Sequence, residues 1–198
     1  MQFKTLAATA LATIALAGCT TMDTMDDGMA TTASARTDVA YVGGAAMYPN
    51  QTIVANAVNS PIHTTLVKAV TAAGLVDTLN GPGPFTVFAP TDAAFAKVPA
   101  ATLNSLMMPA NKAALTKVLT YHVVPGRITA ADIAARIRAG NGTATYTTVE
   151  GEPLRFSMMN GTVMLMGMGG SMAHVNQADV MQSNGVIHVV DGVLLPSM

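Results

Sequence analysis

The chain has 198 residues, of which 51% are hydrophobic and 11% charged, and its formal net charge is -1. That length favours one domain with a sizeable apolar core, and the composition excludes an intrinsically disordered chain and a basic nucleic-acid binder. With no Lys/Arg block in either half, non-specific attraction to phosphate or to anionic lipid has no source.

The N-terminus reads as a targeting segment. Lys4 gives a short positive start, residues 6–16 form an Ala-rich apolar run, and Leu16-Ala17-Gly18-Cys19 follows at once. The run is too short to span a bilayer and has the length of a signal-peptide hydrophobic region. Leu16-Ala17-Gly18-Cys19 resembles a bacterial lipobox, which implies a signal peptide over 1–18 and acyl chains on Cys19. An ordinary secretory signal with an incidental cysteine is the alternative. Several acyl chains would anchor the protein stably where one would not. Cys19 is the sole cysteine, so an exported domain would hold together by packing without disulfides. Residues 19–48 read as a flexible tether rich in Thr, Ala, Asp, Gly and Met. Its span is on the order of 30 Å, which suits display above a membrane. Thr20 is not the Asp associated with inner-membrane retention, so in a Gram-negative cell the outer membrane is expected, facing periplasm or cell surface.

Folded texture begins near Pro49. Residues 52–59 and 64–73 read as helices, the second with Leu66, Val67 and Val70 on one stripe and Gly74 as its stop. Phe85-Thr86-Val87-Phe88 reads as a strand, after which Thr91 or Asp92 caps a short helix carrying Phe95. Leu115, Val118, Leu119 and His122 share one helix face by their spacing, and residues 129–138 form a further short helix. The rest reads as β. Leu154, Phe156 and Met158 alternate with Arg155, Ser157 and Met159, and Asn160-Gly161 is a two-residue hairpin turn that sets Met158 opposite Val163 and Phe156 opposite Leu165. Val186-Ile187-His188-Val189-Val190 reads as a strand covered on both faces. Helices first and strands second predict an α+β domain.

Three segments together resemble the fasciclin-like domain family. They are Gly83-Pro84-Phe85-Thr86-Val87-Phe88-Ala89-Pro90-Thr91-Asp92-Ala93-Ala94-Phe95, then Leu119-Thr120-Tyr121-His122-Val123-Val124-Pro125-Gly126, then Asn184-Gly185-Val186-Ile187-His188-Val189-Val190-Asp191-Gly192-Val193-Leu194-Leu195-Pro196. The likeness covers nearly all of residues 49–198 in the family's order. It implies a β-sandwich or wedge of about seven strands flanked by helices, and a role in cell adhesion or matrix attachment. The partner would be a cell-surface or matrix protein or a polysaccharide. One copy of each signature argues against multivalent bridging within a chain, though a crowded membrane would supply avidity.

The resemblance makes Tyr121, His122, Asp179 and Val180 adhesion candidates. By helical spacing His122 continues the buried stripe, whereas Tyr121 lies off it beside Lys117 and is the expected surface contact. Six methionines fall in residues 158–172, and the hairpin register puts Met164, Met166 and Met168 on the face away from the core, near His174. Thioethers are soft ligands for Cu(I), so copper or small-ligand sensing is the alternative function. The same face would otherwise serve as an adaptable contact patch. No G-x-S-x-G, H-E-x-x-H, phosphate-loop or paired-Cys motif is present, so a non-catalytic protein without a cofactor is expected. An enzyme acting on envelope polymers ranks third.

Overall fold

The computed structural model describes residues 39–197. Segment 1–18, Cys19 and the tether up to residue 38 lie outside them. In chain order the elements are β1 (Ala40–Val42), β2 (Ala45–Met47), α1 (Ile53–Val58), α2 (Thr64–Ala73), α3 (Val76–Asn80), β3 (Phe85–Pro90), α4 (Asp92–Ala96) and α5 (Ala100–Met107). A 3-10 turn at Pro109–Asn111 leads to α6 (Lys112–Tyr121), β4 (Val123–Pro125), α7 (Ala130–Ala139), β5 (Thr143–Thr147), β6 (Pro153–Met159), β7 (Thr162–Met166), β8 (Met172–Gln182) and β9 (Gly185–Val190).

Helix boundaries follow local chemistry. The Thr52 hydroxyl accepts the Ala55 N–H at the start of α1, and Thr91 does the same for Ala94 in α4, each satisfying a first-turn donor. Thr129 and Asp132 form a reciprocal capping box on α7. Gly74 ends α2 at φ 73, a left-handed conformation that glycine adopts without a steric penalty.

Seven strands form one mixed sheet in the order β4-β3-β9-β8-β7-β6-β5. Only β3 and β9 run parallel within it. The two edges nearly meet, for Val149, just beyond β5, donates its N–H to the Val123 carbonyl in β4 at 2.7 Å. The α+β class and the seven strands flanked by helices are as expected. Because β3 and β9 alternate between two cores, each is covered on both faces. Val87, Ala89, Ile187 and Val189 pack with Leu66, Val70, Leu115 and Leu119 of α2 and α6. Phe88 and Val190 face the other way, toward Leu154, Phe156 and Leu165 of the sheet and Ile133 and Ile137 of α7.

The hairpin β1–β2 corrects one expectation, since it lies inside the segment read as tether. Val42 and Met47 are each 2% exposed and pack on the first core. The Gln177 side chain donates to the Tyr41 carbonyl at 3.0 Å, and the Asn56 side chain bonds both the N–H and the carbonyl of Tyr48. Three-residue strands are too short to reveal alternation, and Gly43-Gly44 between them has the composition of a linker. The folded domain includes β1 and β2, which precede residue 49. A fragment starting at residue 49 is therefore expected to be about 2–5 kcal/mol less stable than one starting at 39, the usual range for emptying large buried apolar sites. Urea unfolding of the two fragments checks this, and equal midpoints would refute it.

Candidate functional site

The Tyr121-His122 segment is interior. Tyr121 is 0% exposed, which corrects its expected place as a surface contact. Its hydroxyl donates to the Pro153 carbonyl at 3.0 Å and accepts the Met168 N–H at 2.9 Å. Helical spacing put Tyr121 off the stripe of Leu115 and Leu119, and so it is, but the curled sheet closes over that side of the last turn. Leu115 and Leu119 belong to the first core and Tyr121 to the second. His122 is buried, as the stripe implied. Its Nδ1 lies 2.7 Å from the Val118 carbonyl and its Nε2 accepts the Leu194 N–H at 2.9 Å, which fixes the proton on Nδ1. Burial pushes its pKa down to about 4, against the opposing pull of the Val118 carbonyl.

Asp179 and Val180 lie where β8 departs from regular pairing with β9. Asp179 has φ 58, and its carboxylate accepts the Ala130 N–H at 2.8 Å, so it braces the first turn of α7. Its own N–H points to His188 Nδ1 at 3.3 Å, while His188 Nε2 bonds the Ile128 carbonyl at 2.9 Å. The His188 ring stacks on Phe88 with centroids 5.3 Å apart. Val180 is 0% exposed. Of the four adhesion candidates only Asp179 is partly exposed, and no shared surface joins them.

On the hairpin the observed register pairs Met158 with Val163 and Phe156 with Leu165, as expected. Met164 pairs with His174 and Met166 with Met172, so these four share one face of β7–β8. Met168 does not join them. β7 stops at Met166, and Met168 sits in the glycine-rich turn before β8, held by the Tyr121 hydroxyl. Met164 is 8% exposed, whereas Met159, Met168 and Met172 stand open at 48%, 46% and 61%. Among the described residues no three His, Cys, Asp or Glu side chains are grouped as a metal site. His174 Nδ1 lies 3.6 Å from the Asp191 carboxylate.

A third feature was not read from the sequence. A cavity of about 340 Å³ opens between α1, α2, α3, β3 and β4, lined by Val54, Val67, Leu75, Phe85, Val87 and Val123 among others. The exposed side chains of Val58 and Val149 also line it. The signal was present in α1, where Val54 and Val58 stand four apart, away from the buried Ile53 and Asn56. Val54 packs at the edge of the first core, and Val58 extends the stripe into solvent.

A single mixed sheet whose edges nearly join, with helices packed outside it, is the FAS1 type of fold. A sequence profile described as the fasciclin domain matches residues 61–196, and the chain belongs to the fasciclin family. The FAS1 domain pair of the insect cell adhesion molecule Fasciclin I superposes with a TM-score of 0.66 at 22% identity, covering 75% of this chain and 52% of that one. The chain is 46% identical over 175 residues to Protein sll1483 of Synechocystis sp., covering 86% of this chain and 90% of the relative. It is 34% identical over 160 residues to the cell surface glycolipoprotein MPB83 of Mycobacterium bovis, covering 78% and 64% respectively.

Proposed function

We propose that this chain is a non-catalytic envelope protein, anchored to a membrane through lipid on Cys19, whose fasciclin domain mediates adhesion or contact with surface or matrix material. The observation that carries this reading is the open methionine surface of β6–β8, with Met159 and Met172 about half exposed or more. Flexible thioether side chains adapt to varied partners, and exposed apolar groups gathered on one sheet mark contact sites. The names of Fasciclin I, a cell adhesion molecule, and of MPB83, a cell surface glycolipoprotein, support the same reading. The Leu16-Ala17-Gly18-Cys19 segment, by its resemblance to a lipobox, would supply the anchor. The partner is a polysaccharide or protein of the envelope or matrix.

The test pairs localisation with competition. Wild-type protein is expected in the membrane fraction and Cys19→Ser in the soluble one. A soluble fragment from residue 39 should reduce attachment of the cells that make the protein, and the double variant Met159→Lys/Met172→Lys should lose that effect while melting within a few degrees of wild type. A folded fragment that neither binds envelope material nor alters attachment rejects adhesion.

A second reading has its own observation, the Met164, Met166, Met172 and His174 set on one face of β7–β8. Soft sulfur with one imidazole suits Cu(I). The reading predicts Cu(I) binding that weakens about tenfold or more in Met166→Leu/Met172→Leu, since Leu keeps the bulk and removes the sulfur. Competition with a chromophoric Cu(I) chelator measures it, and equal affinity of the variant leaves the face as a contact surface.

A further inference from the structure

The cavity beneath α1, α2 and α3 has no polar group free inside it. Of its polar lining residues, Thr71 donates to the Val67 carbonyl at 2.8 Å and Thr120 to the Thr116 carbonyl at 2.8 Å. His122 has both ring nitrogens engaged, and Thr78 is an exposed residue of the lining. Ordered water needs about two to four polar partners, which these walls do not offer. An apolar cavity of roughly 150 Å³ stays dry and takes up apolar molecules, and this one is more than twice as large at about 340 Å³. Its volume falls within the ordinary range of ligand pockets, roughly 300–1,000 Å³.

The lining also continues outward. Val58 at 60% exposure and Val149 at 44% are among the large apolar side chains the domain leaves in water, and both belong to this cavity. They extend an apolar lining to the surface, with no charged residue among the described lining side chains. A ligand that carried a charge inward would go unpaired and be excluded. A flexible hydrocarbon fits walls contributed by separate helices and strands, because it adjusts to each in turn.

We propose that this cavity binds one acyl chain of an amphipathic lipid, with the chain among Val54, Val67, Leu75 and Val87 and the polar head left in water. The chain could come from a free fatty acid or from a bilayer phospholipid, and the chemistry inside the cavity is the same. This site is separate from the methionine surface, so it stands or falls independently of adhesion.

The test titrates the full chain carrying Cys19→Ser with cis-parinaric acid, whose fluorescence rises in apolar surroundings. Saturable binding at about one probe per chain, displaced by palmitate, is expected, together with a higher melting temperature in excess palmitate. Val67→Phe and Val54→Phe each fill the space and should weaken binding about tenfold or more, without lowering the melting temperature, while Met172→Phe on the far surface should bind as wild type. Binding that needs phosphatidylethanolamine and phosphatidylglycerol vesicles, and is abolished by the same two variants, assigns the chain to a phospholipid; displacement by palmitate alone assigns it to a fatty acid. Absence of saturable binding both with free probe and with vesicles overturns the proposal, and so does undiminished binding by either folded filling variant. Pyrene displacing the probe more strongly than palmitate overturns the acyl assignment.

Discussion

Tyr121→Ala is expected to be the most damaging single substitution in the domain, lowering stability by about 3–5 kcal/mol for the lost ring alone. The ring is fully buried among Phe156, Leu165 and Leu194 in the second core, and the hydroxyl ties α6 to two other parts of the chain. Removing it leaves the Pro153 carbonyl and the Met168 N–H, both part-buried, without their partner, which adds about 1 kcal/mol for an ordinary hydrogen bond. Against a typical domain stability of roughly 5–15 kcal/mol, the variant should be largely unfolded or close to it. Tyr121→Phe separates the two contributions, since it keeps the packing and costs only the hydrogen-bond share. Urea midpoints at neutral pH decide the matter. An alanine variant as stable as wild type would contradict the burial, and would return Tyr121 to the surface role that its place off the α6 stripe had suggested.

The second large effect is on the pH dependence of stability. In the unfolded chain His122 titrates near 6.5, whereas burial holds it at about 4 in the folded domain. Between those values the unfolded state binds a proton that the folded state refuses, so stability rises with pH across the window. The contribution is complete above about pH 6.5, declines at about 1.4 kcal/mol per pH unit as acid is added, and is lost once pH falls through the folded value. The total is about 3 kcal/mol. Protonation also places a hydrogen on Nε2, where the Leu194 N–H already points. His63 and His188 act in the same direction, each shifted down by burial against weaker opposing pulls, among them Asp92 for His63 and the Ile128 carbonyl and Asp179 for His188. Urea unfolding from pH 7.5 down to pH 4 should show the decline, and His122→Gln should flatten it by about one proton's worth. A parallel decline in that variant would remove His122 as a cause.

Elements with strong local signals were legible from sequence. Asn160-Gly161 fixed the β6–β7 register because a two-residue turn leaves one way to pair the flanking strands. The apolar run at Val186–Val190 announced a doubly covered strand, and the stripe of Leu115, Val118 and Leu119 gave α6 its buried face. What escaped was non-local. Tyr121 is buried by strands that arrive in sequence long after it, so no helical period could locate its neighbours. Asp179 takes a left-handed backbone in irregular β8 pairing, and nothing in its neighbours in sequence announces the contact with α7. Strand alternation carried past Met166 places Met168 on the same face, but β7 stops at Met166 and the following glycines turn the chain. The cavity depends on how three short helices stand over β3, of which α3 has only five residues and too weak a period to read.

The parallel pairing of β3 with β9 joins residues a hundred positions apart, Phe85 with Gly185 and Pro90 with Val190. The sheet therefore has no middle until nearly all of the domain has been synthesised, because β9 is the strand that links β3 and β4 to the antiparallel remainder. Such distant contacts carry a loop-closure cost that must be met before they return any stabilisation. Until β9 has been made, the seven-stranded order cannot close. For a polypeptide exported unfolded, as the proposed envelope role requires, that delay would keep the chain fit for passage, with the final strand as the latch that closes the domain afterwards.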